Sequence, residues 1–339
     1  MLVLDFINVG NGDAALIRQM DGGKQTFAML VDCGHQRLER PCPESRRIYA
    51  GDFLRQAGVE HLDLLVLTHF HQDHIGGLDR VLRAASVGEL VSTYLPPADR
   101  RCEVFEPLEA DLPKAAQHLL LSVNLLSAAL TQPQAAVARE TVLTGEFPVR
   151  RQLTEELSLE IFFGEPALYR RQQEVYGEVM AGRQDRYAML HWSKCMNLSS
   201  LRLRLHYRDE DIVLGGDAYA ISWDQDALAP CRILKVPHHA SLSSTTRKFL
   251  RALQPEIAVV SVAAGRKDER PSSRHRLAAA GVCPGGTLYR RRLPAGAGEA
   301  PVPRLRPSGA GLRQAAPLSN KKGSVPPPAA EARSLCLTA

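Results

Sequence analysis

The chain has no CxxC pair, no long apolar run and no GxSxG element, and each absence removes a class of protein. Its seven cysteines, at 33, 42, 102, 195, 231, 283 and 336, are odd in number and scattered. That pattern argues against a disulfide framework and a cysteine zinc site, and it makes a reducing cytoplasm the expected location. No stretch approaches the ~18 uninterrupted apolar residues of a membrane span. The opening MLVLDFINVG also lacks the basic region of a signal peptide, so a soluble protein without a membrane partner is expected. Without GxSxG there is no nucleophile elbow, and Ser241 and Ser243 read as loop residues.

Positive charge is scarce where it would matter. Of the formal net +5, residues Arg290 to Ala339 carry nine Lys/Arg against two Glu, or +7. Residues 1 to 289 keep 33 basic and 35 acidic residues, or −2. The body therefore lacks the broad basic footprint of a duplex binder, and nucleic acid is left open as a partner without being indicated by body charge. The basic tail, 290–339, is rich in Pro, Ala and Gly without any period, and is expected to be disordered.

What is present suffices for a full core: 339 residues, 45% of them hydrophobic. Apolar runs predict strands at LVLDFINV, AALIRQ, TFAMLVD and LDLLVL, then at 157–163, 200–207, 211–214, CRILKV and EIAVVSV. GGLDRVLRAAS, an amphipathic stretch at 107–138 and Thr245 to Leu253 predict helices. The expectation is an α/β domain over 1–289 with a helical insertion at about 100–140.

Gly10-x-Gly12-x-x-Ala15, with Asp32 some twenty residues later, formally fits a dinucleotide fingerprint. About eight residues separate Gly12 from the Asp21-Gly22-Gly23 turn, too few for the ~10 to 12 residue crossover of a parallel pair. A hairpin with Asn11-Gly12 as its tight turn fits better.

Several strands run into polar residues: LVLT into His69, IVLGG into Asp217, ILKVP into His238 and His239, AMLV into Asp32. If these strands are neighbours, their ends converge at one sheet edge. THFHQDHIGG, residues 68–77, is the densest of these ends. His69 and His71 stand two apart, so in extended chain both rings point the same way, and Asp73 and His74 follow as the chain turns. Imidazole nitrogens and carboxylate oxygens without thiolate suit zinc, manganese or iron.

THFHQDHIGG resembles the HxHxDH signature of the metallo-β-lactamase-fold hydrolases. VGNGDAALI, VDCG, GGDA and VPHHAS resemble the branch typified by the soluble domain of ComEC/Rec2 competence proteins, over about residues 3 to 263. The resemblance implies an αββα sandwich and a centre of one or two ions, Zn2+ or Mn2+. It assigns His69 and His71 to the first metal, Asp73, His74 and His238 to the second, and Asp217 as the bridge. Asp73, His74 and Asp217 are then the catalytic positions. Asp32 is a metal ligand or fixes one from behind, and His239 stands beside His238 as the alternative ligand.

The implied activity is metal-dependent hydrolysis, in first place of a phosphodiester. Two cations ~3.5 to 4 Å apart would lower the pKa of a water toward ~7, and the metal-bound hydroxide would attack phosphorus. A small-molecule esterase or lactonase of the same fold, or a non-catalytic metal-binding interaction protein, are the alternatives. Two departures stand out. Asn197 occupies the place of a further histidine, which weakens the first site because an amide oxygen is a poorer ligand than imidazole. Glu269-Arg270-Pro271-Ser272 stands where the branch often has Gly-His-Pro.

Overall fold

Alternation of apolar residues builds two facing sheets. The computed structural model describes residues 1–38, 47–106, 111–144, 146–164, 166–183, 185–223, 228–262, 282–285, 288–291, 306–307 and 332–337. The first sheet contains β1 (Leu2–Ile7), β2 (Ala15–Asp21), β3 (Lys24–Val31), β4 (His61–Val66), β5 (Ser86–Ser92) and β6 (Val137–Val142), in that spatial order. The first three are antiparallel neighbours, while β3 to β6 run parallel. The second sheet contains β7 (Val149–Gln152), β8 (Leu157–Phe162), β9 (Arg202–Tyr207), β10 (Glu210–Leu214), β11 (Ile233–Lys235), β12 (Ile257–Val259), β13 (Val282–Gly285) and β14 (Leu288–Arg291). Within it β10, β11 and β12 are parallel.

Period-two burial assigns the faces. Leu2, Leu4, Phe6, Met29 and Val31 from the first sheet pack with Leu159, Ile161, Leu203 and Leu205 from the second in one buried cluster. The intervening Ala28 and Leu30 point the other way, onto helices. These are α1 (Ala50–Gln56), α2 (Gln72–Ile75), α3 (Leu78–Ala84), α4 (Lys114–Thr131), α5 (Pro166–Met180) and α6 (Arg186–Cys195). Their apolar stripes recur at helical spacing, as in Leu119, Val123 and Leu126 of α4 and Met189 and Trp192 of α6. On the outer face of the second sheet, Phe249, Leu250 and Leu253 of α7 (Arg247–Leu253) pack with Trp223, Val213 and Leu234. The order is helix, sheet, sheet, helix, the αββα sandwich expected.

Two expectations change in detail. The helix of the 100–140 insertion holds over Lys114–Thr131, but Val137–Val142 is a strand beside β5. The helix ends because Gln132 precedes Pro133, whose ring disfavours helical backbone one residue earlier, and Gln132 is extended at ψ 143°. The β1–β2 connection is an antiparallel hairpin, yet its loop spans residues 8–14 rather than turning tightly at Asn11-Gly12. Beyond β14, the described residues of the tail form β15 (Arg306–Pro307) and β16 (Ala332–Leu337). β16 pairs antiparallel with β1 from Leu2 against Leu337 to Ile7 against Ala332. Leu337 is buried in the inter-sheet core. Residues 292–305, 308–331 and 338–339 lie outside the described residues. No described helix is long and apolar enough to cross a membrane.

Candidate metal centre

The C-terminal ends of β3, β4, β10, β11 and β12 deliver the polar residues to one place. At the end of β4 the chain stays extended through 69–71, so Phe70 turns into the helix-covered core while His69 and His71 share the opposite side. Their rings meet edge to face at 4.8 Å, with His69 Nε2 3.0 Å from His71 Nδ1. The chain then enters α2, which carries Asp73 and His74. Its crowding fixes one glycine: a Cβ on Gly12 would stand 2.5 Å from the Asp73 carbonyl oxygen. Across the sandwich, β10 ends in Gly215-Gly216-Asp217. Gly216 has φ +50°, and a Cβ there would lie 2.3 Å from Ser200 Oγ, which accepts a hydrogen bond from the Asp217 N–H at 3.0 Å.

Two groups of donors share Asp217. Asp73, His74, Asp217 and His239 form one, and His69, His71 and Asp217 the other; within each, one donor atom per residue lies within 4.8 Å of every other. Asp217 Oδ1 faces His74 Nε2 at 3.3 Å, and Oδ2 faces His69 Nε2 at 3.8 Å. The carboxylate thus stands between the two groups.

The expected second-site histidine changes. His239, not His238, joins Asp73 and His74: its Nε2 lies 3.2 Å from Asp73 Oδ2, and its Nδ1–H donates to the Ser261 carbonyl at 2.9 Å. The cause is the backbone. His238, His239 and Ala240 all take left-handed φ, at 50°, 49° and 60°, so the chain coils after β11 and carries the rings apart. His238 turns toward Asn197 and Tyr219, with its Nε2 3.4 Å from Asn197 Nδ2 and 3.9 Å from Asp217 Oδ2. It thereby brings an imidazole to the Oδ2 side of Asp217, the side shared by His69, beside Asn197.

Asp32 touches no candidate metal position; it holds the ligands from behind. Its Oδ2 accepts from His74 Nδ1–H at 2.7 Å and from Thr68 Oγ1–H at 2.7 Å, and its Oδ1 accepts from the Thr68 N–H at 2.8 Å. Thr68 Oγ1 in turn accepts from His69 Nδ1–H at 3.1 Å. With Nδ1 committed on His69, His74 and His239, each presents Nε2 to the centre. Asp32, His69, His74 and Asp217 are all buried.

Burial acts on every group, and neighbouring charge decides the outcome. It lowers the pKa values of His69 and His71, helped on both by the charge of His74, so their rings are neutral. It also lowers His238. For His74 the carboxylates of Asp217, Asp32 and Asp73 overcome burial and hold it well above the usual imidazole range. Burial would raise Asp73 and Asp217, but His74 outweighs it and keeps both ionised. Asp32 itself is raised by burial against the pull of His74 and Thr68.

The donor set fits a cation. His74 Nε2 and Asp217 Oδ1 are buried, 3.3 Å apart, and lack the geometry of a hydrogen bond to any described group. Asn197 Oδ1 is likewise buried without a partner. A cation would satisfy such atoms, and nitrogen and oxygen donors of this kind suit first-row divalent ions. The ERPS segment at 269–272 lies outside the described residues. What the sequence did not single out is the connection between loops. Lys235 Nζ, at the end of β11, donates to Asp13 Oδ2 at 2.7 Å, with both side chains buried. Both residues lay inside motifs already in view, but neither is a metal ligand type at ligand spacing.

Comparison with known proteins finds similar chains. The chain is 26% identical over 282 residues to ComE operon protein 3 of Bacillus subtilis (strain 168), covering 79% of this chain and 29% of that protein. It thus spans less than a third of that relative's length. Among solved structures it is similar to the metallo-beta-lactamase fold protein YhfI of Bacillus subtilis, at 12% identity and TM-score 0.35, covering 71% of this chain and 72% of that one. It is also similar to Zn(2+)-bound PqqB from Methylobacterium extorquens, at 12% identity and TM-score 0.36, covering 74% and 76%. The family model of the metallo-beta-lactamase superfamily matches residues 7–264, the span that holds both sheets' parallel strands and every donor of the centre. The chain belongs to the metallo-β-lactamase superfamily.

Proposed function

We propose that this protein is a metal-dependent phosphodiesterase acting on small or single-stranded phosphodiesters. The observation that carries the hydrolase half is the pair of donor groups meeting at Asp217. The phosphodiester half rests on the resemblance of VGNGDAALI, VDCG, GGDA and VPHHAS to the ComEC/Rec2-like branch. His69 and His71 would hold one cation, with His238 and Asn197 on the same side; Asp73, His74 and His239 would hold the other. Zn2+ or Mn2+ bound there supplies Lewis acidity toward a phosphoryl oxygen and a water acidified toward pKa ~7.

The protein's own residues do the positioning. Asp32, Thr68 and the Ser261 carbonyl fix ring orientation so that three Nε2 atoms face inward. Tyr219, beside His238, flanks the centre and accepts from Asn197 Nδ2–H through its hydroxyl at 3.4 Å. The test is metal content followed by turnover of bis(p-nitrophenyl) phosphate, a single-stranded oligonucleotide, duplex DNA and a lactone. Turnover of the first two in proportion to bound metal is expected. Turnover of the lactone alone, or metal without any turnover, would transfer the chain to one of the two alternative classes.

A further inference from the structure

Beside the centre lies a cavity of about 340 Å³ whose inner wall is His71 and Asp73 and whose outer wall carries Asn11, His35, Arg37 and His118. The volume is at the lower end of the ~300 to 1,000 Å³ of small-molecule pockets, room for one nucleotide-sized group and not for a duplex. Its charge is one-sided. Asp73 is the sole carboxylate in the lining, and it is engaged with His239. Asn11, His35, Arg37, Gln72 and His118 bring groups able to donate, beside the apolar Val9. The His35 Nδ1 accepts from the Arg37 backbone N–H at 3.1 Å, so its Nε2–H remains the donor end of the ring. Among the described residues, the Arg37 guanidinium and the His118 imidazole make no side-chain hydrogen bond or ion pair.

Three elements supply these donors: the loop after β3 (His35, Arg37), the β1–β2 loop (Asn11) and the exposed turn of α4 (His118). Most arginines in the body with a free choice of carboxylate have taken one, as Arg100 does with Glu103 and Arg150 with Glu160. Arg37, in the cavity lining with His71 and Asp73, has none among the described residues. An unpaired guanidinium with imidazole and amide donors, opening onto a metal-type cluster, matches a phosphate oxygen cluster on a substrate, because planar N–H pairs meet such oxygens with charge-assisted bonds.

We propose that this cavity is a subsite for a second phosphate of the substrate, one nucleotide away from the ester held at the centre, with Arg37 as its principal contact and His35 and His118 as auxiliary donors. It rests on the phosphodiesterase reading for the identity of the scissile bond, and it narrows the substrate to short phosphodiesters that carry a further phosphate. It also gives the loop after β3 a binding role, distinct from the structural role of Asp32 at its start.

Calorimetric titration of the full-length, metal-loaded protein with adenosine 5′-monophosphate and adenosine 3′,5′-bisphosphate tests it. The bisphosphate should bind about tenfold or more tightly than the monophosphate, since the monophosphate reaches only the centre. In Arg37→Ala that advantage should collapse to near parity, with His118→Ala intermediate and metal content unchanged in both. Arg251→Ala, an exposed arginine on α7, controls for the lost charge and should keep the advantage. Equal affinities in the unaltered protein, or an advantage that survives Arg37→Ala, would overturn the subsite. If bis(p-nitrophenyl) phosphate is not turned over while the Arg37-dependent advantage persists, the phosphodiesterase reading fails and the anion subsite stands.

Discussion

At the scale of single residues, the pair His238-His239 shows what spacing can and cannot tell. Adjacent side chains point apart in extended chain, so the sequence requires that the two rings play different parts, but it cannot say which. Three left-handed residues decide it, and left-handed backbone at two histidines and an alanine leaves no mark in composition. The roles separate by substitution. His239→Ala should remove one equivalent of metal and abolish turnover, as should Asp217→Ala and His71→Ala, with the fold kept, because these groups sit at strand mouths rather than in the core. His238→Ala should instead loosen the ion on the His69 and His71 side, where Asn197 offers only an amide oxygen, and Asn197→His should tighten it. Metal analysis during stepwise chelation reads both. Loss of two equivalents at one chelator concentration in the unaltered protein would contradict the unequal sites.

The same residues set a pH dependence. Burial lowers His239, but the hydrogen bond to Asp73 and the charges of Asp217 and Asp13 raise it, to about 9 against an ordinary 6.5. In the metal-free protein this raised value stabilises the fold fully below pH 6.5, and the contribution is lost as pH rises through about 9. A metal ion needs the neutral ring, so it must displace that proton. With His74 raised as well, apparent metal affinity should therefore climb with pH from 6.5 through 9. Competition with a chelator across that range checks the sign, and a flat profile would show that His239 does not gate binding.

At the scale of elements, legibility followed burial on both faces. The strands that end at the centre, β3, β4, β10, β11 and β12, are short continuous apolar runs because sheet and helix cover both sides, and such runs are plain in the sequence. β5 and β6 were not seen. SVGELVS is broken by Gly88 and Glu89, and VARETV is an exposed edge with charges at its middle, where Glu89, Arg139 and Arg151 pair across strands. The helices α5 and α6 were missed for a related reason: Val175, Tyr176 and Val179, then Met189 and Trp192, form narrow stripes within charged sequence. The Asp13 and Lys235 pair joins two elements that 222 residues separate, so only the folded chain reveals it. Removing one partner leaves a buried charge uncompensated, and Lys235→Met should cost about 3 to 5 kcal/mol of stability. Asp13→Asn combined with Lys235→Met should recover much of that loss in denaturant unfolding. If the double variant is as unstable as the single, the pair is not coupled as drawn.

At the scale of the whole molecule, charge and chain end act together. A body near −2 predicts weak duplex binding, and the +7 tail predicts that any low-salt affinity for nucleic acid belongs to it. The tail's composition suggests that it can be removed without consequence. Its last residues are different. β16 extends the first sheet past β1, with six residues in register, and Leu337 is buried in the inter-sheet core. Without β16, β1 becomes an edge whose N–H and C=O groups face water, a template for pairing with another chain. Burial of one leucine alone contributes about 2 kcal/mol. Deleting residues 332–339 should therefore lower Tm by several degrees and promote association at high concentration, while metal content stays unchanged because β1 carries no donor to the centre. Replacing Leu337 by Asp, which keeps the backbone ladder but sets a charge in the core, should reproduce the loss of Tm without the association. Thermal unfolding and light scattering on the two variants distinguish the contributions of ladder and side chain. An unchanged Tm in both would show that β16 does not hold to β1 in solution.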